Sequence, residues 1–135
     1  MSNIPLKATF QKYVRAVQRG DLRMLFTTVT TSKKFYFITA QGKIIKTRKG
    51  YYEFHRKWFK QKGWKMPVEL ISVHEGENFG YTIAIFHYKQ KMPDARISVL
   101  DSYFTLIFEK EKGTWRVVAD VCTPIRRSTI DKQRK

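Results

Sequence analysis

The chain has 135 residues, 42% hydrophobic and 15% aromatic, which suits one domain with a real core and excludes both two ordinary domains and a disordered chain. Lysine and arginine outnumber aspartate and glutamate by 27 to 11, a formal charge of +16 that favours anionic partners such as nucleic acid, an anionic membrane or an acidic protein, and equally describes a solubilised surface. The single cysteine, Cys122, excludes an internal disulfide and fits a reducing compartment.

The opening residues "MSNIPLKATF" lack the apolar core of a signal peptide. Stretches such as "YTIAIFHY" are strand-sized, far below the ~20 residues of a membrane helix. The expectation is a cytoplasmic protein without a membrane span. Zinc-finger spacing, a glycine-rich phosphate loop and aromatic RNA-binding motifs are all missing from the sequence, so it calls for no metal and no cofactor.

In chain order, "FQKYVRAVQRGDL" (10–22) carries Phe10, Val14 and Val17 at helical spacing, with the phenol Tyr13 beside that stripe. A first helix is expected over 9–19, stopped at Gly20, with Asp21 capping a second helix that bears Leu22, Leu25 and Phe26. The "RGD" at 19–21 is then a helix break. "KKFYFIT" (33–39) is rich in β-formers and "AQGK" (40–43) reads as its turn.

Residues 47–62 give the clearest helix. Tyr51, Phe54, His55, Trp58 and Phe59 share one arc, and Lys49, Glu53, Arg56, Lys57 and Lys60 lie opposite. The aromatic arc packs and the basic face meets solvent, where it and the tail are available to an acidic partner.

Two long hairpins follow, over 67–89 with a turn at Glu77 and Asn78, and over 95–125 with a turn at 109–113. Helices first and strands after them predict an α+β fold with the helices packed on one face of a mostly antiparallel sheet. Residues 1–125 form one domain on this reading, and "RRSTIDKQRK" (126–135) is a basic, frayed tail.

This order of helix, "GD", helix, strand, aromatic helix and two hairpins ending in "GTWRVVAD" resembles the nuclear transport factor 2-like superfamily over about residues 8–125. That group includes ketosteroid isomerase, SnoaL-like cyclases and kinase association domains. The resemblance implies a strongly curved sheet closed into a cone, and a homodimer packed through that sheet. It leaves function open, because the fold hosts binders, enzymes and scaffolds.

"QKYVRAVQRGDL" is similar to the first-helix segment of ketosteroid isomerase, which implies that Tyr13 is an oxyanion donor. "ISVLDSYF" (97–104) is similar to the segment carrying that family's second, acidic donor, which falls on Asp101, or on Thr105 under an alternative register. Two donors in an apolar pocket stabilise a developing oxyanion, and a carboxyl held there stays neutral. The resemblance places the family's base near Phe37, where this chain has no carboxylate.

Asp120 lies where SnoaL-like cyclases carry a catalytic aspartate, which implies a general base. Strand alternation opposes this: Val117, Ala119, Val121 and Thr123 form the smaller, more apolar face, which would turn Asp120 outward. Of three scattered histidines, His87 is expected to face the cavity, with no metal spacing among them. Phe37, Tyr51, Trp58, Tyr103 and Thr105 are its expected lining, as ligand or as core.

Three functions follow: a binder of a small apolar or aromatic molecule, an isomerase, cyclase or dehydratase using Tyr13 and Asp101 as donors with Asp120 or His87 as base, and a basic interaction protein.

Overall fold

The computed structural model describes residues 4–130. Helix α1 (Leu6–Arg19) begins three residues earlier than the apolar spacing predicts, because Pro5 supplies an extended N-cap. It ends at Gly20, whose φ of 64° is the left-handed conformation that closes a helix C-terminus. Asp21 Oδ1 then accepts the Met24 N–H at 3.0 Å and starts α2 (Leu22–Phe26), so the "RGD" is a cap.

Strand β1 (Lys34–Ile38) pairs antiparallel with β2 (Ile44–Thr47), a short strand in the gap that the sequence reading left between the turn at 40–43 and the helix at 47–62. Thr47 Oγ1 accepts the Gly50 N–H at 3.0 Å and caps α3 (Arg48–Trp58). The remaining strands are β3 (Trp64–Lys65), β4 (Val68–Glu75), β5 (Phe79–Lys91), β6 (Ile97–Glu111) and β7 (Thr114–Ile130). They form one seven-stranded sheet in the order β2-β1-β7-β6-β5-β3, with β4 also on β5. All named pairings are antiparallel except β1 with β7.

Strand β7 runs on past residue 125. Arg126 to Ile130 pair with the start of β6 instead of fraying; residues 131–135 of the expected tail lie outside the described residues. None of the described helices is long and apolar enough to cross a membrane.

Four register shifts interrupt the sheet, one on β1 between Lys34 and Phe37, one on β4 between Leu70 and Ser72 and two along β6–β7. Each extra residue sharpens the local bend and twist. The shift after Val117 decides the site. Phe108 pairs with Val117 and Ile107 with Ala119, so Val118 is an unpaired insertion in β7. Before it Trp115 and Val117 are buried against the helices; after it Asp120 is. Because side chains alternate with a period of two, one added residue transfers the inward parity from odd to even positions.

The core lies between the helices and this face, where Leu6, Phe10, Tyr13 and Val17 of α1 and Tyr51 of α3 meet Phe104, Leu106 and Phe108 of β6. At the sheet's far corner Gly80 approaches the start of α1, and a Cβ there would stand 2.5 Å from Leu6 Cδ1 and closer still to the His74 carbonyl oxygen. Backbone cannot yield as a side chain can, so Gly80→Ala is expected to cost about 1–3 kcal/mol. Urea unfolding checks this; a midpoint equal to that of the parent would contradict the close approach.

Candidate functional site

Between α3 and the inner face of the sheet lies a cavity of about 400 Å³, within the size range of small-molecule sites. Its wall is largely aromatic, with Phe37, Phe54, Trp58, Phe86, Tyr88 and Phe104. Tyr13, His55, Asp120 and Cys122 line it as well, and the exposed residues Gln41, Lys57 and Gln61 mark its mouth.

Asp120 is 5% exposed. Its Oδ2 accepts hydrogen bonds from Tyr51 Oη at 2.8 Å and Tyr13 Oη at 3.1 Å. The two phenols also touch each other through a short hydroxyl–hydroxyl contact. Oδ1 has no partner although it is buried. Burial pushes the Asp120 carboxyl up to about 6, against the opposing pull of the Tyr51 and Tyr13 hydrogen bonds, which favour the charged form. The same burial, reinforced by the charge of Asp120, holds both tyrosines well above the usual phenol range, so they remain donors. Cys122 beside them is a neutral thiol for the same reason, its own burial coming before the Asp120 charge.

His55 adds a second neutral acceptor. Its Nδ1 lies 2.9 Å from the Tyr51 carbonyl oxygen. A carbonyl only accepts, so Nδ1 carries the proton and Nε2 is the free lone pair. Burial lowers this imidazole to about 4, so it stays uncharged at neutral pH. The site is thus an apolar chamber with a half-satisfied carboxylate, a neutral imidazole and two fixed phenols.

The expected site residues divide between the two faces of the sheet. Tyr13, Phe37, Trp58 and Asp120 line the cavity, and Tyr51 stands behind the wall as the second donor to Asp120. Asp101, His87, Tyr103 and Thr105 do not. They alternate with the lining residues Phe86, Tyr88 and Phe104 and so point to the outer face. There the directly paired residues His87, Asp101 and Arg126 form a row across three strands. Asp101 Oδ1 lies 2.8 Å from His87 Nδ1, and Oδ2 accepts from Arg126 Nε at 3.1 Å. The His87 hydrogen bond, with help from the Arg126 charge, holds the Asp101 carboxyl below its ordinary value. The expected pairing of Tyr13 with Asp101 is therefore corrected: Tyr13 meets Asp120.

Sequence reasoning missed His55, Phe86, Tyr88 and Phe104 as wall residues. The signal was present for Phe104, which shares the greasier face of β6 with Leu100, Leu106 and Phe108. Among the described residues, no three of the His, Cys, Asp and Glu side chains stand together as a metal site.

A helix-covered curved sheet with a cavity at its centre defines the cone-shaped α+β class shared by nuclear transport factor 2-like and cystatin-like folds. The chain matches the SnoaL-like domain over residues 6–122 and belongs to that family. Among solved structures it is similar to a ketosteroid isomerase-like protein from Erwinia carotovora atroseptica, with a TM-score of 0.75 and 14% identity over 90% of this chain and 94% of that one. A nuclear transport factor 2-like superfamily protein from Salmonella enterica serovar Typhimurium gives 0.73 and 14% over 88% and 87%. A cystatin-like domain of unknown function from Nostoc punctiforme gives 0.70 and 19% over 90% and 75%. No curated protein matches the chain in sequence. At such identities these likenesses establish the fold alone.

The two buried titrating groups pull stability in opposite directions. Asp120 binds its proton more tightly in the fold, so its contribution is full below about pH 4 and lost as the pH rises through about 6. His55 binds its proton less tightly in the fold, so its contribution is full above about pH 6.5 and lost as the pH falls through about 4. In urea unfolding, Asp120→Asn should therefore gain roughly 3 kcal/mol relative to the parent as the pH rises from 4 to 6. In the parent the Asp120 loss is offset by the His55 gain over the same range. His55→Asn should instead lose stability over that range, where these two groups leave the parent nearly level. Parallel pH profiles for all three proteins would refute both assignments.

Proposed function

We propose that the cavity binds a small apolar or aromatic molecule and that Asp120 exchanges a proton with it, in an isomerase-, cyclase- or dehydratase-type reaction. The observation that carries this reading is Oδ1 of Asp120, buried without a partner on the cavity wall. A buried acceptor left unpaired costs free energy unless something fills the vacancy. A carboxyl held near 6 is partly ionised at neutral pH and still basic enough to take a proton, the balance that general-base catalysis needs.

In this scheme a C–H bond beside a carbonyl breaks, its electron pair moves into the carbonyl as an enolate, and Oδ1 takes the proton. Return of that proton to another carbon completes an isomerisation; its transfer to a hydroxyl on the β-carbon, whose C–O bond breaks as water leaves and the enolate collapses to a C=C bond, completes a dehydration. Tyr13 and Tyr51 are positioning residues, holding Oδ2 so that Oδ1 faces the ligand. His55 Nε2 offers a second acceptor for a ligand hydroxyl. Burial of the polar groups in an aromatic wall excludes water, which strengthens each of these interactions.

The family's resemblance to ketosteroid isomerase-like proteins points the same way, and the exposed apolar residues Ile71, Val73, Tyr103 and Ile125 support a homodimer built on the sheet.

The test uses an enolisable aromatic ketone, 2-tetralone, in deuterated buffer, with solvent exchange at its α-carbon followed by NMR. Asp120→Asn is expected to lower the catalysed exchange by at least about 100-fold. Tyr13→Phe and Tyr51→Phe each remove a donor to the carboxylate, so the acid limb of the pH–rate profile should move to higher pH. Binding of 2-tetralone without exchange in the parent would reduce the site to a ligand-binding pocket; exchange undiminished in Asp120→Asn would remove Asp120 from the role.

A further inference from the structure

The cavity wall changes character from floor to mouth. On α3, Tyr51 belongs to the Asp120 network and Trp58 lies two turns further on, about 10 Å along the helix axis. On β6, Leu106 pairs with Asp120 while Leu100 lines the cavity six residues away, about 20 Å of curved strand. Both elements run from a buried acceptor to a rim that presents donors.

The rim's hydrogen bonds run in one direction. An indole N–H only donates, and Trp58 Nε1 gives its proton to Tyr88 Oη at 3.2 Å. Tyr88 Oη donates onward to Gln90 Oε1 at 2.9 Å, and Gln90 Nε2 donates to Gln61 Oε1 at 2.7 Å. The chain ends on the Gln61 side-chain amide, whose N–H groups have no protein partner among the described residues. The Gln61 backbone is fixed from both sides, its N–H on the Trp58 carbonyl and its own carbonyl on Trp64 Nε1.

Lys57 lines the mouth together with Gln61. Its natural helical partner, Glu53, is taken by Arg56 at 2.7 Å, and Lys57 has no ion pair among the described residues. Apart from Asp120 it is the only formally charged residue on the cavity wall among the described residues. A ligand anion is repelled from the Asp120 end and attracted to the Lys57 end, and the protein's net charge of +16 draws anions toward it.

We propose that the ligand is an amphiphilic carboxylate, with a flat apolar body on the aromatic wall, its proton-bearing group at Asp120 and its carboxylate at Lys57 and Gln61. This assignment rests on the reading of the cavity as a ligand site and adds the ligand's charge and orientation. The rim fixes which end enters, and Lys57 selects acids over their neutral counterparts.

Two fluorescent probes test it, 2-naphthol and 6-hydroxy-2-naphthoate, which share a hydroxyl and differ in the distal carboxylate. Titrations use the parent, Lys57→Met, Asp120→Asn and the control Lys49→Met, an exposed lysine of the same helix outside the cavity. The naphthoate should bind the parent about fivefold more tightly than the naphthol, the scale of a solvent-facing ion pair. Lys57→Met should erase that preference without altering naphthol affinity, and Lys49→Met should preserve it. Equal affinities in the parent, or a preference that survives Lys57→Met, would overturn the assignment while leaving the cavity reading intact. Failure of both probes to bind would remove the cavity reading and this assignment together. Naphthol affinity unchanged in Asp120→Asn would show that the hydroxyl does not sit at Asp120 and would overturn the proposed orientation.

Discussion

A carboxylate buried with one oxygen paired and the other bare is the feature on which the rest of this structure turns. Taking Asp120 out of water costs free energy that only hydrogen bonds offset, and the fold supplies them from two separate helices, Tyr13 on α1 and Tyr51 on α3. Those phenols fix the seating of both helices against β7. They satisfy Oδ2, and Oδ1 stays buried without a partner on a residue that lines the cavity. An ordinary core would have satisfied both oxygens or replaced the group by an apolar one.

The contrast with Asp101 shows that environment sets the chemistry here. Both are mid-strand aspartates on neighbouring strands. Asp101 meets His87 and a guanidinium on the outer face, and its carboxyl is held below the ordinary value. Asp120 meets two neutral hydroxyls in a buried, largely apolar setting, and its carboxyl rises to about 6. One is a surface ion pair of small energetic weight; the other is a group whose protonation state is open near neutral pH. The chain's many cations leave the interior acid unpaired, since none of the described ion pairs includes Asp120.

Much of this was legible in the sequence. The helix stop at Gly20, the Asp21 cap and the aromatic arc of α3 each follow from local rules, and the α+β plan follows from their order. The resemblance brought Tyr13 and Asp120 forward as site residues. What stayed hidden was the facing of β7. Alternation assumes an unbroken register, and the insertion at Val118 breaks it, so the apolar appearance of Val117 and Val121 misled about the position between them. The sequence carries no signature of that insertion, because Val118 is an ordinary β-former. The placement of Asp101 failed for a different reason: the greasier face of β6 was recognised, yet the family's acid was set on the other one. Gln61 and Gln90 reach the mouth by tertiary packing alone, which no local pattern encodes.

If Asp120 is held in an apolar chamber with Oδ1 free, its protonation midpoint must lie well above that of a solvated aspartate. Carboxyl carbon NMR of protein labelled at aspartate, with the resonance assigned by Asp120→Asn and followed as the pH is changed, measures that midpoint directly. The structure predicts a value of about 6 for Asp120, whereas a midpoint near the ordinary value of about 3.9 would contradict it.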